Sequence, residues 1–399
     1  MFSILWEFVV VKQVLVAPDK FKGSLTAAEV AARVAAGLGV PAVELPVADG
    51  GDGTVEAAVA CGFDQVTVEV TGPTGERVAA SYAWRQADGT PTAVIELAEA
   101  SGLRRLPAGP APLTATSYGT GELIADALRR GARRIVLGLG GSAGTDGGAG
   151  MVRALGARLL DGDGAELPDG GAALRGLARI DLSGFADVKD VEFVVAGDVD
   201  NPLLGPHGAA AVYGPQKGAT PEDVRTLEAG LSRLAAVATQ THGLLGAVEH
   251  DDTPRAMGVA GAPGAGAAGG VGFAALAFLH AELRPGIEYL LDLLGFGELV
   301  RDARLVITGE GSLDEQSLRG KAPVGVAQAA ARAGVPVVAV CGRRTLSDTQ
   351  LKDAGIEAAY ALTDLEPDPA RCMAEAGPLL ERLAARVAAE HLADHLEGR

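Results

Sequence analysis

The stretch VKQVLVAPDKFKGSLTAAEVAARVAAG (Val11–Gly37), followed by VELPVADGGDGTVEAAVA (Val43–Ala60), decides the fold. Val11 to Ala17 is a run of strand length, apolar from Val14 onward. It stops at APDKFKGSL, after which Thr26 and Glu29 stand in capping-box spacing and predict a helix to about Gly37. Val43 to Val47 is a second apolar strand, ADGGDGT a second polar loop, and Thr54 to Ala60 a second helical stretch. Two strand, loop, helix units in succession imply a parallel sheet, and ligands of such sheets sit beyond the carboxyl ends of the strands. Asp19, Lys20, Lys22, Asp49 and Asp52 all fall at such ends.

The rhythm changes after about residue 62. QVTVEVTGPTGERVAASYAW predicts two alternating strands around Gly72, Pro73 and Gly75, and TAVIELAEASGL supplies another. A helix is expected from Thr120 to Arg130, then RIVLGLGGSAGTDGGAGM (Arg134–Met151), a buried strand running into a glycine-rich loop. Backbone amides bared at a helix start attract anions, whereas glycines can equally serve close packing. Glu192 to Ala196 is a further strand, Pro221 opens a helix reaching about Thr241, and Phe273 to Leu283 is an apolar helix. Past Pro285 the doubly wound pattern returns: strand Arg304–Thr308, polar loop GEGSLDEQSLRGK, helix Pro323–Ala333, strand Val335–Val340, strand Glu357–Leu362 and a closing amphipathic helix Pro378–Leu396. The expected fold is α/β, with a Rossmann-like parallel-sheet domain formed by both chain ends (11–62 and 287–399). A second, mixed α/β domain (63–286) is inserted, with a ligand cleft expected between the two. Met1 to Val10 reads as an N-terminal extension, too short to span a bilayer and without the flanks of a signal peptide.

Composition narrows the chemistry. A net charge of −17 argues against nucleic acid or an anionic membrane as partner. Three separated cysteines, Cys61, Cys341 and Cys372, suit a reducing cytoplasm and form neither a disulfide framework nor a zinc motif. No GxxxxGK[ST] and no HRD-type catalytic loop occurs, and no triad can be built around His207. GxGxxG at Gly264, Gly266 and Gly269 lacks both a preceding strand and the ribose-binding acid of a dinucleotide site, although it suggests a nicotinamide-dependent oxidoreductase of a small hydroxy acid as the alternative function. A catalytically silent binding protein for an organic acid is a third reading. Of 34 basic residues only seven are lysine, and four of these, Lys20, Lys22, Lys217 and Lys321, lie in strand-end loops beside glycines and acids. Compact ammonium groups next to Asp49, Asp52, Asp146, Asp198, Asp200, Glu310 and Asp314 are what a phosphoryl-transfer site requires.

APDKFKGSL, PVADGGDGT, GGSAGTDGGAGM, GDVDNPLLGPHGAAAVYGPQKGA, PGAGAAGGVG and TGEGSLDEQSLRGKAPVGVA together resemble the bacterial glycerate kinase family, in the branch that forms 2-phosphoglycerate. The resemblance runs from about Val11 to the chain end, in the family's order. It implies a cytoplasmic, ATP- and Mg²⁺-dependent kinase acting on D-glycerate, as a monomer or homodimer. Asp198, in GDVDNPL, corresponds to the expected general base, and Lys22 to a motif lysine expected to act in catalysis. Lys20 stands where relatives often carry serine. Substrate and phosphate contacts are expected from Asp19, Ser24, Gly141, Ser142, Asp146, Asn201, Gln216, Lys217, Gly264, Gly266 and Lys321. Asp49, Glu310 and Asp314 are expected to hold the metal or its waters.

Overall fold

A computed structural model describes residues 12–86, 89–242 and 258–393. The extension Met1–Val10, and with it His250 and His395, lies outside them. Thirteen strands are found among the described residues. They are β1 (Gln13–Pro18), β2 (Ala42–Glu44), β3 (Asp64–Thr71), β4 (Arg77–Arg85), β5 (Thr92–Glu96), β6 (Arg134–Gly138), β7 (Arg158–Leu160), β8 (Arg179–Asp181), β9 (Glu192–Ala196), β10 (Glu282–Arg284), β11 (Ala303–Leu313), β12 (Val337–Arg344) and β13 (Ala358–Ala361). The chain divides into two compact units, one of Met1–Val47 with Leu291–Arg399, the other of Ala48–Leu290. The first boundary thus precedes the 62/63 junction that the sequence rhythm suggested. Helix Thr54–Ala60 belongs to the second unit because it packs on β4 and β5.

In the first unit five parallel strands lie in the order β13-β12-β11-β1-β2. Val14 to Ala17 are buried almost completely, as expected for a strand covered by helices on both faces. Thr26 and Glu29 do form the reciprocal capping box of helix Ala27–Leu38, and Gly39 ends that helix in the left-handed conformation. This is the doubly wound arrangement in its 2-1-3-4-5 order. Strand succession reverses between β1 and β11, so their carboxyl ends form the topological switch point. One expectation needs correction: the polar segment after Thr308 is not all loop. β11 continues to Leu313, because β12 runs alongside it as far as the pair Leu313↔Arg344.

The second unit holds a mixed six-stranded sheet, β10-β9-β6-β5-β4-β3, and a separate β7-β8 hairpin. β5, β6, β9 and β10 run parallel, while β4 and β3 form the antiparallel edge expected from their alternating sequence. The apolar segment Phe273–Leu283 is not one helix. The helix ends at Phe278, His280 adopts a left-handed backbone (φ 53°), and Glu282–Arg284 joins the sheet as β10 beside β9.

Helix Ala27–Leu38 packs against helix Ala376–His391, and Gly37 is where their backbones meet: a Cβ there would fall on the carbonyl of Glu381 and within 2.7 Å of its Cα. In an isolated helix alanine is the better former by about 1 kcal/mol. Here the collision dominates, and Gly37→Ala is expected to destabilise the first unit by roughly 1–3 kcal/mol, read as a lower midpoint in urea or thermal unfolding.

Candidate active site

At the switch point of the first unit, the amide of Asp19 donates to the carbonyl of Gly309 (2.8 Å), locking the end of β1 to β11. Asp19 is nearly buried and accepts from the amide of Lys20 (2.7 Å), with the Lys20 Nζ at 3.6 Å. The turn that follows closes on itself through Phe21 and Leu25, and its Lys22 amide lies against Gly311 of β11, leaving Lys22 exposed. Ser24, expected at the substrate, donates its hydroxyl to the carbonyl of Met373 (2.8 Å) and fastens this turn to helix Pro369–Ala374.

Glu310 points inward from β11. Burial pushes its carboxyl up to about 7, reinforced by Asp19 and Asp314 and opposed by a Ser317 hydrogen bond and by Lys321. Its Oε1 is buried without a hydrogen-bond partner. Asp314 is held below the usual carboxylate range by the Gln316 amide and the Ser312 hydroxyl. Lys321 occupies the N-cap of helix Ala322–Arg332. Asp19, Lys20, Lys22, Glu310, Asp314 and Lys321 are therefore grouped around one strand-end edge.

In the second unit the segment Asp49–Gly53 lies across the carboxyl ends of β5, β6 and β9. Its backbone touches theirs: a Cβ on Gly50 would strike the carbonyl of Ala196, one on Gly138 the carbonyl of Gly50, and one on Gly140 the Cα of Gly51. At one end the Gly53 and Val55 amides donate to Glu96 Oε2 (2.9 and 3.4 Å). At the other end Asp49, turned back on the Gly51 amide (3.1 Å), lies near Asp198 beyond β9. Asp198 keeps solvent exposure as a residue, yet its carboxyl is partly desolvated. That desolvation, with Asp49 and Glu288 adding repulsion, pushes it up to about 6 against the Gly286 amide that donates to its Oδ1 (3.1 Å).

Glu96 was missed in the sequence. Burial, with Glu99 and Asp52 nearby, pushes it up to about 7, and its Oε1 also lacks a hydrogen-bond partner. The signal was available, since Glu96 ends the apolar run TAVIE much as Asp198 follows EFVVAG.

The glycine stretch after β6 is tied into the second unit along its later part: Ala143 donates to Ser101, Gly147 to Gly269, and Gly148 and Gly150 to the Asp146 carboxylate. Asp146 also accepts from the amide and hydroxyl of Ser117 (both 2.8 Å), so this buried acid ties the loop to helix Tyr118–Arg129. Lys217, expected to offset substrate charge, is 2% exposed, and its Nζ donates to Ser142 Oγ (2.7 Å) and to the carbonyl of Gly144. At Gly264 and Gly266 a Cβ would meet the backbone of the Val199–Pro202 segment, and the Gly266 amide donates to the Asn201 carbonyl (2.8 Å). Asn201 itself spans its loop, donating to the His207 carbonyl (2.8 Å) and accepting from the Tyr213 hydroxyl (2.6 Å). Gly141 and Gln216 remain exposed, and Ser142 is nearly buried at the β6 edge.

Of the three expected metal ligands, Asp49 belongs to one unit and Glu310 and Asp314 to the other, and among the described residues no group of three or more His, Cys, Asp or Glu is arranged to hold a metal. Mg²⁺ at a phosphoryl-transfer site needs only one or two carboxylates beside the nucleotide phosphates, and the unpartnered Glu310 oxygen fits that demand.

Residues 14–392 match the family model of the glycerate kinase family. The chain is 43% identical to a glycerate kinase of Bacillus subtilis, over 94% of this chain and 97% of that one. It is 45% identical to the glycerate 2-kinase of Escherichia coli K12, over 88% and 90%. A crystal structure assigned as glycerate kinase 2 of Salmonella typhimurium LT2 superposes with a TM-score of 0.82 at 41% identity, covering 97% of this chain and 100% of that one. With two strand-end clusters of acids and lysines carried on such a scaffold, the chain belongs to the glycerate kinase family.

Proposed function

We propose that this protein transfers the γ-phosphoryl group of ATP to the 2-hydroxyl of D-glycerate, giving 2-phosphoglycerate and ADP. The observation that carries the assignment of roles is Asp198, a carboxyl at a parallel strand end, raised towards neutrality by partial burial and by Asp49 and Glu288. A carboxylate so tuned accepts a proton more readily than an ordinary one while remaining mostly ionised at neutral pH. Asp198 removes the proton from the 2-hydroxyl as the new O–P bond forms, and the Gly286 amide fixes the orientation of its other oxygen. Lys20, Lys22 and Lys321 offset phosphate charge at the switch point of the first unit, where α/β sheets of this order bind their ligands. Bound Mg²⁺ supplies charge neutralisation on the β- and γ-phosphate oxygens, with Glu310, and Asp314 beside it, as the groups that would hold it or its waters.

The nicotinamide alternative has no support from the family match, and Gly264, Gly266 and Gly269 pack against protein backbone instead of forming a dinucleotide loop. No helix among the described residues is long and apolar enough to cross a membrane. A metabolic kinase of this kind belongs in the cytoplasm.

Asp198→Asn keeps the shape and removes the base. A coupled ATP assay with D-glycerate should show kcat reduced roughly 10²- to 10⁴-fold, the usual worth of a general base, and near wild-type turnover would overturn the role. NMR of the product should place phosphate on C2. Because the ionised form of Asp198 is the active one, kcat/KM should be level above neutrality and fall as pH drops through about 6. In Asp49→Asn the loss of a neighbouring negative charge should move that inflection to lower pH.

A further inference from the structure

Lys217 and Ser142 form a pair that the proton-transfer role of Asp198 leaves unused. The Lys217 Nζ is 2.7 Å from Ser142 Oγ, and the lysine is sealed by its surroundings, with Gly269 so close that a Cβ there would lie 2.9 Å from Nζ. No carboxylate lies within ion-pairing distance of this amine among the described residues. The acid acting on it, Asp146, spends its oxygens on three backbone amides and one hydroxyl. A buried, unpaired ammonium is costly, and the usual outcome is loss of the proton. Burial lowers Lys217 to about 7, with Asp146 opposing. In the neutral state one N–H still donates to the Gly144 carbonyl, while the lone pair accepts the Ser142 hydroxyl proton across the same short contact. That is the geometry of a serine activated by a lysine base.

Ser142 lies on the segment that follows β6, whose last residue, Gly138, is in register with Ala196 at the end of β9, two residues before Asp198, so the two segments leave the same edge of the sheet. Ser142 as a residue is 8% exposed against 2% for Lys217.

We propose that Ser142 is a phosphoryl acceptor, activated by Lys217, which takes the γ-phosphoryl group of ATP when glycerate is absent. The step balances: Ser142 Oγ attacks the γ-phosphorus, the bond from phosphorus to the ADP oxygen breaks, ADP leaves, and the hydroxyl proton passes to Lys217 Nζ. The resulting ammonium then faces the ester oxygen of phosphoserine. This inference rests on the kinase reading above, since it uses the same phosphoryl donor.

The full-length protein incubated with ATP and Mg²⁺ at mildly alkaline pH without glycerate should gain one phosphoryl group by intact mass, mapping to the peptide that carries Ser142. S142A should gain none, and K217M and K217R, which lack a neutral amine base, should label at least tenfold more slowly. The same preparation is assayed for glycerate-dependent ADP release. Turnover of glycerate with no phosphoryl group on Ser142 overturns this inference and leaves the kinase reading intact, as does equal labelling in wild type, K217M and K217R. Labelling of Ser142 without glycerate turnover supports the inference and counts against the substrate. If the Lys217 variants do not fold, wild-type labelling must instead rise with pH through neutrality, and a flat profile overturns the proposal.

Discussion

The second unit depends on one constraint, the contact of backbone with backbone where Asp49–Gly53 crosses the ends of β5, β6 and β9. Gly50, Gly138 and Gly140 meet their neighbours with no room for a methyl group. Interiors packed to crystalline density do not absorb such an intrusion. The crossing brings Asp49 near Asp198, brings the Gly53 amide to Glu96, and sets Gly141 against the Asp52 carboxylate. The electrostatics of this edge therefore follow from sterics: carboxylates gather at the strand ends because the chain between them can lie flat.

The same carboxylates are raised for a common reason. Glu96, Asp198 and Glu310 each lose water at a strand end and each face another acid. The three are not equivalent in role. Glu96 uses one oxygen to receive the first amides of helix Thr54–Ala60, which makes it part of the support. Asp198 has one amide contact and an exposed rim, which suits proton transfer. Glu310 has an oxygen with no protein partner, which suits a cation.

Much of the scaffold was legible in the residues. The Val14–Ala17 run, the Thr26/Glu29 capping box and the alternation of Asp64–Arg85 each carry their own period or cap, and each forms as read. What misled was tertiary. β11 extends through a glycine-rich polar segment because β12 supplies a partner, a pairing of residues some thirty apart that local pattern does not record. The glycines of Gly138–Gly150 and Gly264–Gly270 meet neighbouring backbone closely, which sequence alone does not separate from an anion cradle because a tight approach to phosphate and a tight approach to backbone make the same demand on side-chain size. Lys217 read as a cation of a strand-end loop, and nothing in QKGA reveals that Ser142 and Gly144, more than seventy residues earlier, accept from its buried amine.

The continuation of β11 to Leu313 has a consequence for binding entropy. Glu310 and Ser312 sit on a sheet ladder, where their backbone freedom is already surrendered when the chain folds. A ligand arriving at this edge meets acids that are fixed in advance, and little of its interaction energy is diverted into ordering the protein. The turn carrying Lys22 lies off that ladder, closed by hydrogen bonds within itself and by the Ser24 tether, so the cation and the carboxylates of this edge are held by different kinds of backbone support.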